Sequence, residues 1–336
     1  MHQFIDRQTT EIKDEAFYGD RVIKFIYSKA RETPSVMYNI LNSRRLCKFL
    51  GFFYFDSFIG SKITRTKEFM EKIGIDYSEC LENPYLLDTP RKIFERKICY
   101  WEKRPMPDDE KVVVAPSDSR ALVGSLSNVS LIQIKDKLFQ YEELLGADKK
   151  KWLDAFRGGD FAIFRLTPDK YHYNHMPVSG VVLDIYKIEG GYHSCNPEIT
   201  ITLCNPYSKN KRIITIFDTD VENGTHVGLV AMIEVVALLI GDIAQCYSEE
   251  RYDNPQEIKK GIFLKKGQPK SLFRPGSSTV ILLFQRDRVA FFSDLIKNTF
   301  NSEAKSIFSK AFNRSIVETD LKVRSPIGTA MNRKKS

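Results

Sequence analysis

Apolar positions recur at helical spacing through the first part of the chain and then give way to short, strand-like runs. In DRVIKFIYSKA, Val22, Ile23, Phe25 and Ile26 fall on one helical face. From Ser35 to Phe69 the helical pattern continues and becomes aromatic, with Leu46, Phe49, Leu50, Phe52, Phe53, Tyr54, Phe55 and Phe58. Arg44, Arg45, Lys48, Lys62, Arg65 and Lys67 flank it, a pattern that suits a helix packed on a core or lying on an anionic membrane surface. Pro84, Pro90, Pro105 and Pro107 break residues 71–110 into connecting pieces.

From Lys111 onward the runs shorten. KVVVAPSDSRALVGSL reads as strand, turn, strand, and VSLIQIKDKLFQYEELLG as strand, turn and a helix closed by Gly146. FRGGDFAIFRLTP, EITITLC, KRIITIFDT, GIFLKKG and STVILLF continue the β pattern. One helix is expected over DLIKNTFNSEAKSIFSKAF, and a last strand over 319–324. The expected class is α+β: a helical N-terminal layer over 1–90, a β-rich domain of short, mainly antiparallel strands over 91–328, and a basic tail over 329–336.

The run Val227 to Ile240 is shorter than the ~20 apolar residues that a membrane span requires, and Glu234 interrupts it. It reads as a buried strand carrying one purposeful polar residue. With 42% apolar and 28% charged residues, the chain has a sizeable core and is not disordered. Its net charge of +8 fits an anionic partner, such as nucleic acid, an acidic membrane surface or a phosphate-bearing substrate. The six cysteines form no CxxC pair and no zinc spacing, and the N-terminus has no secretory pattern, so free thiols in the cytoplasm and no bound metal are expected.

Candidate chemistry gathers at three places. In FRPGSSTVILLF, Pro275 and Gly276 set a sharp turn, and Ser277 and Ser278 stand at its mouth ahead of an apolar strand. A serine-capped β-turn is the ordinary use of such a sequence. In YHYNHMP, His172 and His175 suit acid–base work, metal binding or a structural role. Asp118, in Pro-Ser-Asp-Ser, either caps its own turn or completes a Ser-His-Asp relay with the others. No GxSxG elbow, Walker loop or GxGxxG is present, so the usual hydrolase and nucleotide-binding folds find no support.

In order along the chain, these segments resemble the phosphatidylserine decarboxylases. APSDS (115–119) is similar to the family's Pro-Ala-Asp-Gly segment, and IKDKLFQYEELLG (134–146) to its Ile-Lys-Gly-Lys-x-Tyr block. GGDFAIFRLTPDKYHYNHMPVSG (158–180) resembles the block that ends in Tyr-His-x-x-His-x-Pro. NKR (210–212), the Glu234 strand, KKG (265–267) and FRPGSSTVILLF complete a match over about residues 90–328.

The resemblance implies a self-processing enzyme. A serine hydroxyl, activated by Asp118 and His175, attacks the preceding carbonyl. Elimination then cuts the chain near 276–278, leaving a covalent pyruvoyl group on a small C-terminal chain that stays with the large one. The pyruvoyl ketone takes the substrate amine and accepts electrons as carbon dioxide departs, and His172 is the implied proton donor. Phosphatidylserine is the implied substrate, met at an anionic membrane surface by a peripheral enzyme, with no nucleic acid and with a homodimer as one possible assembly. The same chemistry on a soluble amino acid, or a binding homologue that never cleaves, are the alternatives.

Two departures stand out. The family has Leu-Gly-Ser-Thr or Gly-Gly-Ser-Thr where this chain has Gly276-Ser277-Ser278-Thr279, so strand register selects Ser278 for conversion and the glycine selects Ser277. Ser119 replaces the glycine that follows the relay aspartate.

Overall fold

The structure is a computed structural model. It describes residues 2–15, 52–56, 71–127, 140–193, 206–236, 242–276 and 278–331, with isolated positions at 62, 65, 68, 197 and 200. In chain order the strands are β1 (Gln3–Asp6), β2 (Ile12–Asp14), β3 (Val112–Val114), β4 (Ser119–Ser125), β5 (Asp160–Leu166), β6 (Tyr173–His175), β7 (Gly180–Ile188), β8 (Arg212–Asp218), β9 (Leu229–Val236), β10 (Ile243–Gln245), β11 (Phe263–Leu264), β12 (Pro269–Phe273), β13 (Ser278–Phe284), β14 (Val289–Phe291), β15 (Glu318–Leu321) and β16 (Pro326–Ala330).

Ten of them form one sheet in the order β11-β7-β8-β9-β13-β5-β4-β15-β1-β2, and two three-stranded sheets run β10-β12-β6 and β14-β16-β3. Among the described strands every pairing is antiparallel except that of β1 with β15.

β13 lies inside the main sheet, in full register with β5 on one side and β9 on the other. Both its faces are covered, which is why STVILLF reads as a continuous apolar run without alternation. Val280, Leu282 and Phe284 enter one core with Phe164, Met232 and residues of the smaller sheets such as Phe273 and Ile243. Ile281 and Leu283 enter another core, where Trp152, Leu153 and Phe156 from the helix Lys150–Phe156 pack. The Gly158-Gly159 pair has a steric reason: a Cβ on Gly159 would lie 1.9 Å from the carbonyl oxygen of Phe284.

The mixed, strand-rich class is as expected, and Glu234 lies in a buried strand, β9; residues 237–240 of the expected run lie outside the described residues. The N-terminal helical layer is not confirmed by the described residues, although positions 62, 68, 71 and 72 are helical. Residues 3–14 form a β-hairpin, and β1 joins the main sheet beside β15, more than three hundred residues later in sequence. Four-residue strands carry too little periodicity to be read, and their pairing is wholly non-local. The helices expected over 20–30 and 35–51 lie outside the described residues. Within the rest of 1–90, Phe52–Asp56 is a π-helical turn, and Tyr77–Glu79 and Pro84–Leu86 are 3₁₀ turns.

Two local expectations also change. The helix expected over 294–312 breaks into Ser293–Thr299 and Ile307–Phe312. The side chain of Asn301 accepts from Glu303 N and Ala304 N, replacing helical bonds with an Asx turn, and Ser306 caps the second piece. The final strand is shorter than expected and is followed by β16.

Candidate active site

The turn through Gly276 joins β12 to β13. Gly276 has a φ of 149°, a backbone conformation that side-chain-bearing residues rarely adopt. Ser277 lies outside the described residues. Ser278 opens β13 opposite Leu166 of β5 and Val236 of β9. Its hydroxyl is buried and has no hydrogen-bond partner, and the same holds for Thr279. Cross-strand partners share a face, so Ser278 projects to the same side as Val280 and Glu234, while Thr279 projects to the other.

The loop leaving β5 carries the next candidate. His172 follows Leu166 by six residues, and its carbonyl accepts from Phe273 N at 3.1 Å, just ahead of the turn through Gly276. Its ring is buried and stacks on Phe94 at 3.6 Å between centroids. Neither ring nitrogen has a partner of good geometry. Burial first, and then the nearby charge of Arg96, pull its pKa down to about 3, although the Lys170 backbone, Asp169 and Asp118 oppose the shift. At neutral pH the imidazole is uncharged.

Phe94 belongs to α1 (Pro90–Phe94), which starts cleanly because Thr89 caps the amide of Lys92 and Pro90 fills the first turn. The residues after α1 face the same site. Glu95 pairs with Arg274 at 2.5 Å, and Arg96 donates to Asp169 O at 2.8 Å.

Asp118 and His175 are tied through backbone but not through side chains. His175 N donates to Pro116 O at 2.7 Å, joining β6 to the turn that carries Asp118. The Asp118 carboxylate itself accepts from Arg104 Nε at 3.0 Å, Arg104 Nη2 at 2.8 Å and Val323 N at 2.7 Å. Burial alone would raise its pKa; Arg104 reverses that and holds it at about 2. Arg104, from the end of α2 (Tyr100–Lys103), grips Glu79 with its remaining donors at 2.8 and 2.7 Å.

His175 Nδ1 lies 2.8 Å from Gly267 O, which can only accept, so that nitrogen carries the proton. Nε2 is left as the acceptor, 3.0 Å from Tyr171 Oη, which in turn lies 2.7 Å from Tyr252 Oη. Burial, the dominant effect, pulls the His175 pKa down to about 3. The substituted Ser119 stays within its turn, donating to Ser117 O at 3.1 Å. Arg104, Tyr171, Phe94 and Arg96 have no sequence signal that sets them apart: Lys and Arg number 51 in this chain, and Tyr and Phe are also abundant.

Beneath Ser278, on the same face of the sheet, lies a fully buried ion pair. Glu234 accepts from Lys270 Nζ at 2.7 Å, from Gln245 at 3.0 Å and from the hydroxyl of Ser271. Asn174, between the two histidines in β6, donates to Ser271 Oγ at 3.0 Å. The network therefore fixes β6 and β12 against the main sheet. The one metal-like grouping among the described residues, His2, Glu15 and Glu318, lies elsewhere. There Arg165 already binds both carboxylates.

The phosphatidylserine decarboxylase family model matches residues 91–305, a span that holds Asp118, both histidines and the serine turn. The chain belongs to the phosphatidylserine decarboxylase family. It is 30% identical over 302 residues to a phosphatidylserine decarboxylase proenzyme of Clostridium perfringens, covering 89% of this chain and 94% of that protein. A proenzyme of the same name from Ruminiclostridium cellulolyticum is 30% identical over 318 residues, covering 94% and 98%. One from Chlamydia trachomatis is 29% identical over 300 residues, covering 87% and 90%.

Proposed function

We propose that this chain is a self-processing, pyruvoyl-dependent decarboxylase that converts phosphatidylserine to phosphatidylethanolamine and carbon dioxide, with Ser278 as the residue converted to the pyruvoyl group. The observation that carries the choice of serine is the Ser278 hydroxyl: buried, without a partner, and two residues after a glycine with φ of 149°. A buried hydroxyl left unbonded costs about 1–3 kcal/mol, which is tolerated where the group has a chemical task.

The residues present suit a pyruvoyl group at this position. Thr167 Oγ1 and both nitrogens of His172, on the loop that leaves β5 beside Ser278, are buried with no hydrogen bond of good geometry and have hydrogen-bonding capacity to spare. Once formed, that group supplies the electron sink for decarboxylation. The protein's own residues supply position and protons. His172 rests neutral because it is buried, and an anionic substrate arriving beside it favours the protonated form, making it a proton donor to the substrate carbon. Asp118 and His175 take the maturation role. Because Arg104 holds the carboxylate and Tyr171 the imidazole, Asp118 acts on His175 through its field and the shared backbone turn, not through a direct bond.

No helix among the described residues is long and apolar enough to cross a membrane. The +8 charge supports a peripheral meeting with anionic lipid. Intact mass and carbon dioxide release test the reading together. Wild type is expected as two chains that decarboxylate dispersed phosphatidylserine, and the mass of the small chain identifies the converted serine. Ser278→Ala, Asp118→Ala and His175→Ala should remain at 38.8 kDa. His172→Ala should cleave and turn over about 10²- to 10⁴-fold more slowly. An uncut wild-type chain with full activity would sink the proposal.

A further inference from the structure

Arg96 is a buried guanidinium that forms no ion pair with any described residue. Nη1 donates to Ile93 O at 3.2 Å and Nη2 to Asp169 O at 2.8 Å, while Nε is buried with no partner. Arg104, beside the site, and Arg165, away from it, each bind two carboxylates; Arg212, also away from it, donates only to carbonyls but has Nε, Nη1 and Nη2 all engaged. A buried cation without a counter-ion is unfavourable, and burial lowers the pKa of Arg96 accordingly.

Its surroundings place it beside His172. Phe94, two residues earlier, stacks on His172, and Glu95 pairs with Arg274 in the turn that leads to Gly276. Arg96 is itself close enough to His172 to depress that ring's affinity for a proton.

We infer that Arg96 anchors the phosphodiester of the lipid head group, an inference that rests on the decarboxylase reading above. The head group offers two anions, and they are not equivalent. The carboxylate loses its charge as carbon dioxide leaves, so a cation held against it stabilises the ground state over the transition state and slows the reaction. The phosphodiester keeps its charge throughout, and pairing it improves binding without opposing the chemistry. A guanidinium also matches phosphate oxygens with paired donors, where an ammonium acts as a point charge.

The test compares wild type with Arg96→Gln and Arg96→Lys, each first checked by intact mass for self-cleavage. If wild type does not decarboxylate phosphatidylserine, the reading beneath falls; if it does, only Arg96 is at stake. Arg96→Gln is expected to raise KM about tenfold or more with kcat changed only a few-fold, and Arg96→Lys to fall between. Inhibition by glycerophosphoethanolamine, which has the phosphodiester and no carboxylate, should weaken by a similar factor, while inhibition by free serine should not change.

An unchanged KM, or weakening confined to serine, overturns the inference. If neither variant matures, arginine-directed dicarbonyl labelling of wild type decides it by peptide mass. Protection of Arg96 by glycerophosphoethanolamine and not by serine supports the assignment, and equal labelling with both overturns it.

Discussion

His172 and His175 are both held neutral in the interior, and Asp118 is held ionised by Arg104, so three site residues resist acid in the same direction. An unfolded histidine titrates near 6.5 and these two near 3 when folded, so the unfolded state takes up protons first as pH falls. Their stabilisation is complete above about pH 6.5 and is lost progressively toward pH 3. Asp118 adds a contribution that is present above about pH 4 and lost as pH falls through about 2. The unfolding free energy from urea titration, and with it the midpoint, should therefore fall between pH 7.5 and pH 5, the free energy with a slope approaching about 2.7 kcal/mol per pH unit for the two histidines together. His172→Gln should flatten that slope, and a midpoint constant over the range would contradict the buried neutral state. The identities of these residues were legible because YHYNHMP and GSSTV combine unusual residue types within a few positions. Their partners were not legible, since nothing in the sequence distinguishes Arg104 from other arginines or brings it to Asp118.

Among the elements, β6 and β12 depend on a charge pair that neither strand shows alone. Lys270 and Glu234 are wholly buried, and Asn174 and Ser271 tie both strands into the same network. Lys270→Met leaves Glu234 charged and unpaired and should cost about 3–5 kcal/mol in chemical denaturation. Replacing both, as Lys270→Met with Glu234→Leu, should recover most of that loss, because an apolar pair needs no counter-charge. A double variant no more stable than the single would argue against this account. The sequence did reveal that Glu234 interrupts an apolar strand, and so that a partner was required. It did not reveal which of the many lysines supplies it, because that depends on the crossing of two separate sheets. The N-terminal hairpin escaped for a related reason. Its only strong signal is its fit to β15, at the opposite end of the chain.

At the scale of the molecule, the bond proposed for cleavage joins two strands in different sheets, and the segment after it is not peripheral. β13 is gripped along its full length by β5 and β9, and β15 lies between β4 and β1. The proposed cut before Ser278 would remove a covalent link without opening a sheet, and the two chains should travel together in gel filtration until denaturant is added. The interleaving has a further consequence for how the protein can be remade. Before scission, β13 finds its slot as part of one chain, with its neighbours at a high effective concentration. After scission the same insertion becomes an encounter between two molecules, one of which presents an unpaired apolar strand prone to aggregation. Denaturation should consequently be reversible for the uncut Ser278→Ala chain. For the mature form, recovery should be poor and dependent on protein concentration, as checked by dilution from urea. The fold would then be accessible only through its precursor, and the mature enzyme would persist by the slowness of its unfolding.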